Sequence, residues 1–240
     1  MMRCGELSNG FGRTDMSKVA IVAAMEREVR PLVKSWLTSE KEHSGRQFRF
    51  FENDDFVLVC AGIGASAARR AAEAIIALHE PRIVYSVGFA GALDGSLKVG
   101  DAMRPERVVN AKDGSSVSID GGHGVLVSFE SIASPEQKRK LRDSFSAHAV
   151  DMEAAAVAQA AEARGVEFAA AKAISDEMDF EFPSMERFVD SDGRFSEARF
   201  ALFAAVRPWV WPSVLRLARN SKRASASLCA FLRGLSGQQK

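Results

Sequence analysis

The chain has 240 residues, 47% of them hydrophobic and 26% charged, with a net charge of +1. That is enough chain for one large domain with a full core, and the composition is that of a soluble globular protein. No apolar run reaches the ~18 residues of a membrane-crossing helix. Cys4, Cys60 and Cys229 are odd in number and scattered, which argues against a disulfide scaffold and for a reducing cytosol, and no Cys/His spacing suggests a metal.

Residues 1–17 are polar, contain Gly5, Gly10 and Gly12, and carry an acid, which reads as a loose leader and not as a secretory signal. Lys18 to Ala24 is a short apolar run suited to a buried strand. Met25-Glu26-Arg27-Glu28-Val29 then opens a helix with acids in its first turn, where the dipole favours them. Gln47–Glu52 and Phe56–Cys60 read as hairpin strands around Asn53-Asp54-Asp55. Gly62-Ile63-Gly64 follows directly and leads into a helix from Ala67 to His79. Strand, glycine turn and helix is the layout of an anion or ribose cradle, although the pattern is weak alone and is not a dinucleotide fingerprint.

Pro81–Val87 is the next strand, and Gly88-Phe89-Ala90-Gly91-Ala92 reads as a small-residue turn at its end, where ligands of open α/β sheets collect. Gly114–Gly124 is polar and turn-rich, Gly124–Ser128 is a strand, and Ser134-Pro135 caps a helix to about Phe145. Ala149-Val150-Asp151-Met152-Glu153 ends a short strand in two acids before a small-residue helix, Ala154 to Ala163. One acid there is a cap. Two acids on alternate residues would share a strand face and make a sugar-holding floor, with Met152 as an apolar platform. Glu167–Ile174 is a further strand, ending in Ser175-Asp176-Glu177. Strand and helix alternate throughout, which predicts a three-layer αβα sandwich around a twisted, mostly parallel mixed sheet.

Charge is unevenly spread. Eight basic residues and no acid follow Glu197, leaving a net −7 on the rest. The domain expectation is therefore a leader (1–17), an α/β domain (18–206) and a basic amphipathic C-terminal helix or tail (207–240). Trp209, Trp211, Val214, Leu215 and Ala218 lie at helical spacing with Arg216, Arg219, Lys222 and Arg223 between or beyond them. Three readings stand open: a helix packed on the body with a solvated basic face, a helix lying on an anionic membrane surface, or an oligomer contact.

Four stretches, in this order, resemble the purine nucleoside phosphorylase and nucleosidase superfamily. They are Ala23–Val29; Gly62-Ile63-Gly64; Gly88–Gly91 with Val99-Gly100-Asp101; and Val150–Ala154 with Ala173–Asp176. The methylthioadenosine/S-adenosylhomocysteine nucleosidase type is the branch they resemble most. The resemblance implies hydrolysis of the N-glycosidic bond of a 5′-modified adenosine to release adenine, without cofactor or metal. It implies Asp176 as the acid at purine N7, suited by desolvation in a cleft, and Glu28 as the base for water. It further implies Glu153 as ribose ligand with Met152 beside it, and Gly64, Gly88, Phe89 and Ser175 around the substrate. Asp151 stands where these hydrolases carry Glu and is the weaker candidate. Phe89 replaces a small hydroxyl residue, and Phe129 or Ile132 is left to stack on the base. Arg27 or Lys172 could bind an anion, which keeps a phosphate-dependent phosphorylase as a rival.

The segment between Asp101 and Asp151 is short for that branch. This and the tail, Val189-Asp190-Ser191-Asp192-Gly193 with Arg207-Pro208 and Pro212–Ala218, are similar to hopanoid-associated nucleosidases. That branch implies adenine removal from an adenosyl-linked lipid. The expected partners are a nucleoside, water, a second copy in a homodimer and, through the tail, the inner membrane face of the cytoplasm; no nucleic acid is expected. A non-catalytic nucleoside-binding or membrane-adaptor protein is the alternative from another class.

Overall fold

The computed structural model describes residues 18–181, 186–190, 193, 195–205 and 207–237. The leader, and Ser191 and Asp192 of the tail motif, lie outside the described residues. In chain order the elements are β1 (Val19–Ala23), α1 (Glu26–Val33), β2 (Leu37–His43), β3 (Arg46–Glu52), β4 (Phe56–Cys60), α2 (Ala65–His79) and β5 (Ile83–Ala92). Then come β6 (Ala102–Met103), β7 (Arg107–Asn110), β8 (Ser116–Ser118), β9 (Val125–Ser128), α3 (Pro135–Phe145), β10 (Ala149–Asp151) and α4 (Ala154–Glu162). β11 (Glu167–Asp176), α5 (Glu197–Ala205) and α6 (Trp211–Gly237) complete the chain.

The strands form one mixed sheet, ordered β2-β3-β4-β1-β5-β10-β9-β7-β8, with β11 beside β5 and β6 beside β11. Successive residues of β1 serve opposite faces, as the period of two requires. Val19, Ile21 and Ala23 join a core with α1 and α6, while Ala20 and Val22 join one with α2 and α4. The small residues Ala68, Ala71, Ala72, Ala156, Ala160 and Ala161 let α2 and α4 pack closely over that second face. The chain is thus the expected three-layer α/β sandwich.

β5 is the hub. β11 runs parallel along one of its edges from Ile83 to Gly91. The other edge is shared: β1 pairs with Ile83–Val87 in parallel, and β10 pairs with Gly91 and Ala92 antiparallel. The C-terminal ends of β1 and β10 therefore point at each other across Gly88–Ala90. A strand that changes partner leaves a crevice at that place.

This topology corrects one expectation. Gly88–Ala92 does not turn; it continues β5, because β11 and β10 hold it as strand. The glycines there serve close approach and not a bend. β2 also went unforeseen. Its sequence LTSEKEH is polar and half exposed, and it pairs residue for residue with β3 through a tight turn at Ser44 and Gly45, both at positive φ.

The C-terminal helix α6 is part of the body over its second half. Ala224, Leu228 and Leu232 are buried in the same core as α1 and the sheet. Its first half is different: Trp209 just before it is 73% exposed, and Leu215 is 64% exposed.

Candidate active site

The crevice beside Gly88–Ala90 is a pocket built from seven segments. α1 contributes Arg27 and Glu28, β5 contributes Phe89, Ala90 and Gly91, and the β10–α4 junction contributes Asp151, Met152 and Glu153. Ser175 and Asp176 come from the end of β11, Ile63 from the turn after β4, Ile132 from the β9–α3 loop with Lys138 from α3, and Leu217 and Ser221 from α6. Among the sequence-derived candidates, Glu28, Phe89, Ile132, Met152, Glu153, Ser175 and Asp176 share this one cavity. Gly64 and Gly88 stand behind it and position its carboxylates. Phe129 is turned away: it packs beside the β9 core and lines a different hollow.

Glu28 sits in the first turn of α1, 2% exposed, and accepts the Met25 amide at 3.4 Å. A first-turn glutamate is ordinarily solvated; this one faces the sheet because β1 delivers α1 directly over the crevice. Gly88 makes room for it: a Cβ there would lie 2.9 Å from Glu28 Oε2. Burial, then the charge of Glu153, pushes the Glu28 carboxyl up from 4.5 to about 7.

Asp151 and Glu153 do not share a strand face. β10 ends at Asp151, and Glu153 already has the φ of −130° and ψ of −36° of the residue capping α4. The two acids consequently have different tasks. Asp151 is committed to structure: Ser128 Oγ donates to it at 2.6 Å, the Ala154 amide at 2.9 Å, and Lys172 Nζ lies 2.8 Å away in a buried ion pair. Lys172 also donates to Ser86 Oγ at 3.1 Å and does not line the pocket, which removes it as a candidate anion ligand.

Glu153 instead accepts the Gly64 amide at 2.8 Å and the Met152 amide at 3.2 Å. Gly64 adopts a φ of 95°, open chiefly to glycine, and so turns its N–H to the carboxylate. The Gly64 amide of the Gly62-Ile63-Gly64 turn is thus taken by a carboxyl of the protein itself and not by a ligand anion. Burial, then the charge of Asp151, raises Glu153 to about 7 as well.

Asp176 ends β11 with Ser175 Oγ donating to its Oδ1 at 2.7 Å. Asp176 is buried at a strand end in the cleft, as expected, and it has a partner that the sequence did not reveal. Lys138, 1% exposed, forms an ion pair with Asp176 Oδ2 and donates to the Glu177 carbonyl at 2.8 Å. Sequence reading missed Lys138, since Glu136-Gln137-Lys138-Arg139-Lys140 looks like a solvated face. Its phase held the signal: Lys138 lies three residues before Leu141, the other buried residue of α3.

The pocket therefore gathers two carboxyls that gain protons near neutrality and a buried lysine–aspartate pair, with Met152 and apolar residues in the same lining. Such a site can take a proton from one side of a bound molecule and give one to the other. A site of this kind, at a partner change in a mixed sheet, is that of an enzyme acting on a small polar molecule with an apolar flank.

The chain belongs to the phosphorylase superfamily, whose family model matches residues 18–130 and 123–206. Within it, the chain is 30% identical over 207 residues to the 5′-methylthioadenosine/S-adenosylhomocysteine nucleosidase of Staphylococcus aureus, covering 68% of this chain and 90% of that protein. Two Helicobacter pylori structures share the fold at a TM-score of 0.70: futalosine hydrolase (19% identity, 93% of this chain and 98% of that one) and a methylthioadenosine/S-adenosylhomocysteine nucleosidase (18% identity, 93% and 99%).

Proposed function

We propose that this protein is an N-ribosyl hydrolase that cleaves the N-glycosidic bond of a 5′-modified adenosine, such as methylthioadenosine or S-adenosylhomocysteine, and releases adenine. The observation that carries the reading is Glu28, a buried carboxyl raised to about 7 that lines the same cavity as the Lys138–Asp176 pair, Glu153 and Met152. In this reading Glu28 takes a proton from the attacking water. Glu153 holds the ribose hydroxyls, Met152 packs on the sugar, and the base lies toward Asp176 and Ile132 with Phe89, Gly88 and Ser175 around it. The transition state is oxocarbenium-like, so the sugar needs nearby carboxylates and the departing base needs a proton.

Phosphorolysis is less well supported. Of the basic residues lining the cavity, Lys138 is paired with Asp176, and Arg27 is exposed with its guanidinium 5.4 Å from the Phe195 ring centre; Lys172, outside the lining, is paired with Asp151. The test is release of adenine from methylthioadenosine, S-adenosylhomocysteine, inosine and an adenosyl lipid, with and without phosphate. Adenine release in phosphate-free buffer is expected. Turnover that needs phosphate and yields ribose 1-phosphate would replace the reading by a phosphorylase. Tight binding with no turnover of any substrate would replace it by a binding protein.

A second reading concerns the 5′ group. Leu217 and Ser221 of α6 line the pocket, and the exposed Trp209, Trp211 and Leu215 flank them together with Arg207, Arg216, Arg219 and Lys222. Among the described residues no helix is long and apolar enough to cross a membrane. An apolar, basic apron beside the pocket mouth suits a lipid-linked adenosine taken from an anionic surface by a cytoplasmic, peripherally bound enzyme. Salt-sensitive binding to anionic vesicles, reduced by Trp209→Ser with Trp211→Ser, is expected; equal binding by the double variant refutes it. A homodimer is proposed by resemblance alone, and sedimentation equilibrium tests it.

A further inference from the structure

Arg27 is the cation of the cavity lining without an ion pair among the described residues. Its neighbours in α1 do not neutralise it. Glu26 pairs with Arg49 at 3.8 Å, and Glu28 is turned into the cavity. The other basic residue of the lining, Lys138, is held by Asp176. Helix electrostatics do not account for Arg27 either. It stands in the first turn of α1, where the dipole favours acids and opposes a cation.

The fold builds a platform for this side chain. The Ile63 amide donates to the Gly193 carbonyl at 2.7 Å. Gly193 has a φ of 82°, and a Cβ on it would lie 2.5 Å from the Ile63 carbonyl oxygen, so the contact needs glycine. Two residues on, Phe195 bridges to Val189, and the Ser196 amide bonds the Phe188 carbonyl at 2.8 Å. The Phe195 ring is thereby set 5.4 Å under the Arg27 guanidinium, with Phe188 and Phe200 packed on its other sides. Two more guanidiniums, of Arg187 and Arg207, lie 5.0 and 4.2 Å from Phe203 in the same aromatic cluster. A guanidinium laid on a ring keeps the N–H fork in its own plane available.

In the hydrolase reading the buried groups are already assigned, the base to Asp176 and Ile132 and the ribose to Glu153 and Met152. Arg27 lines the same cavity but is exposed. It therefore meets the part of the substrate that leaves the cavity, which is the 5′ substituent. We propose that Arg27, seated on Phe195, binds a carboxylate carried by the 5′ substituent, so that the enzyme favours acidic or zwitterionic substrates such as S-adenosylhomocysteine over neutral methylthioadenosine. The proposal rests on the hydrolase reading above. A carboxylate is planar and matches the guanidinium fork with two parallel N–H···O bonds. Arg187 and Arg207 add a positive field around the mouth that draws such a substrate in.

The test compares two isosteric substrates, 5′-(3-carboxypropylthio)adenosine and its carboxamide. Base and sugar are the same in both, so any effect of a variant on Glu28 or on the fold cancels from the ratio of their kcat/KM values. Wild-type protein should prefer the acid about tenfold at low salt, near the low end for a hydrogen bond between charged groups, and less as salt is added. Full-length Arg27→Gln should bring the ratio close to one, and Arg27→Lys, which keeps the charge without the fork, should fall between. A wild-type ratio of one, or a preference for the acid that Arg27→Gln leaves unchanged, would overturn the proposal. Adenine release from neither compound would overturn the hydrolase reading alone, since the acid-to-amide ratio is then read from their dissociation constants.

Discussion

Replacing Glu28 by Gln should make the protein more stable and nearly inactive, with both effects set by pH. The folded protein holds the Glu28 carboxyl at about 7 against 4.5 when unfolded, a difference worth about 3 kcal/mol. The raised value means that the folded state binds this proton more tightly. Stability is therefore lost as pH rises from 4.5 to about 7, and the whole cost is present above that range. Gln keeps the size and can still accept the Met25 amide, but it never carries charge. Urea unfolding at pH 5 and pH 8 should show the variant's advantage growing from a small value to about 3 kcal/mol, an upper figure because the unfolded chain is not fully solvated. Turnover of methylthioadenosine should fall by ~10²–10⁴-fold over the same range. A stability difference independent of pH would mean that the carboxyl is not held up by burial. Wild-type turnover in the variant would remove Glu28 from the chemistry.

Three more outcomes are expected. In wild-type protein the rate should rise with pH to a midpoint of about 7, since Glu28 must be ionised to accept a proton; a flat pH–rate profile from pH 5 to 8 would contradict this. Lys172→Met strips Asp151 of its partner and should cost ~3–5 kcal/mol in denaturant unfolding, much of it recovered by adding Asp151→Asn. Because the Lys172 charge holds Glu28 down, the rising limb should also move to higher pH in the double variant. Gly88→Ala puts a methyl 2.9 Å from Glu28 Oε2 and should lower kcat by up to ~100-fold through a displaced base, while far-ultraviolet circular dichroism stays as in wild type.

The apolar runs of β1, β4, β9 and β11 and the cap at Ser134 made the layers legible in the sequence, because buried strands and capped helices carry local signals. β2 carried none, being polar on both faces. The glycines of β5 gave a false turn signal, since the same residue type serves bends and close contacts, and only the partners of a strand tell them apart. At the site, the order of the motifs was enough to gather Glu28, Met152, Glu153 and Asp176. What could not be read was pairing across long separations. Lys172 with Asp151 and Lys138 with Asp176 are joined by tertiary folding alone, and a lysine's burial depends on a carboxylate far along the chain. The spacing of Trp209, Trp211 and Leu215 suggested one apolar side of a helix, continued by Leu228 and Leu232. In the structure the first three are outside, while Leu228 and Leu232 are buried with Ala224.

The shared edge of β5 gives the site two banks that are free to diverge separately. Glu28 is carried by β1, anchored along the first half of β5, and Asp176 by β11, anchored along nearly all of it. The whole stretch that supplies Ile132, Lys138 and Met152 is tied to β5 through only two residue pairs, Gly91 with Val150 and Ala92 with Ala149. Insertions or deletions between β6 and β10 can therefore reshape the pocket wall made by Ile132, Lys138 and Met152 without moving Glu28. A chain with a shortened segment there can keep its hydrolytic centre and change what it hydrolyses, so substrate range in this architecture can drift by exchange of one cassette.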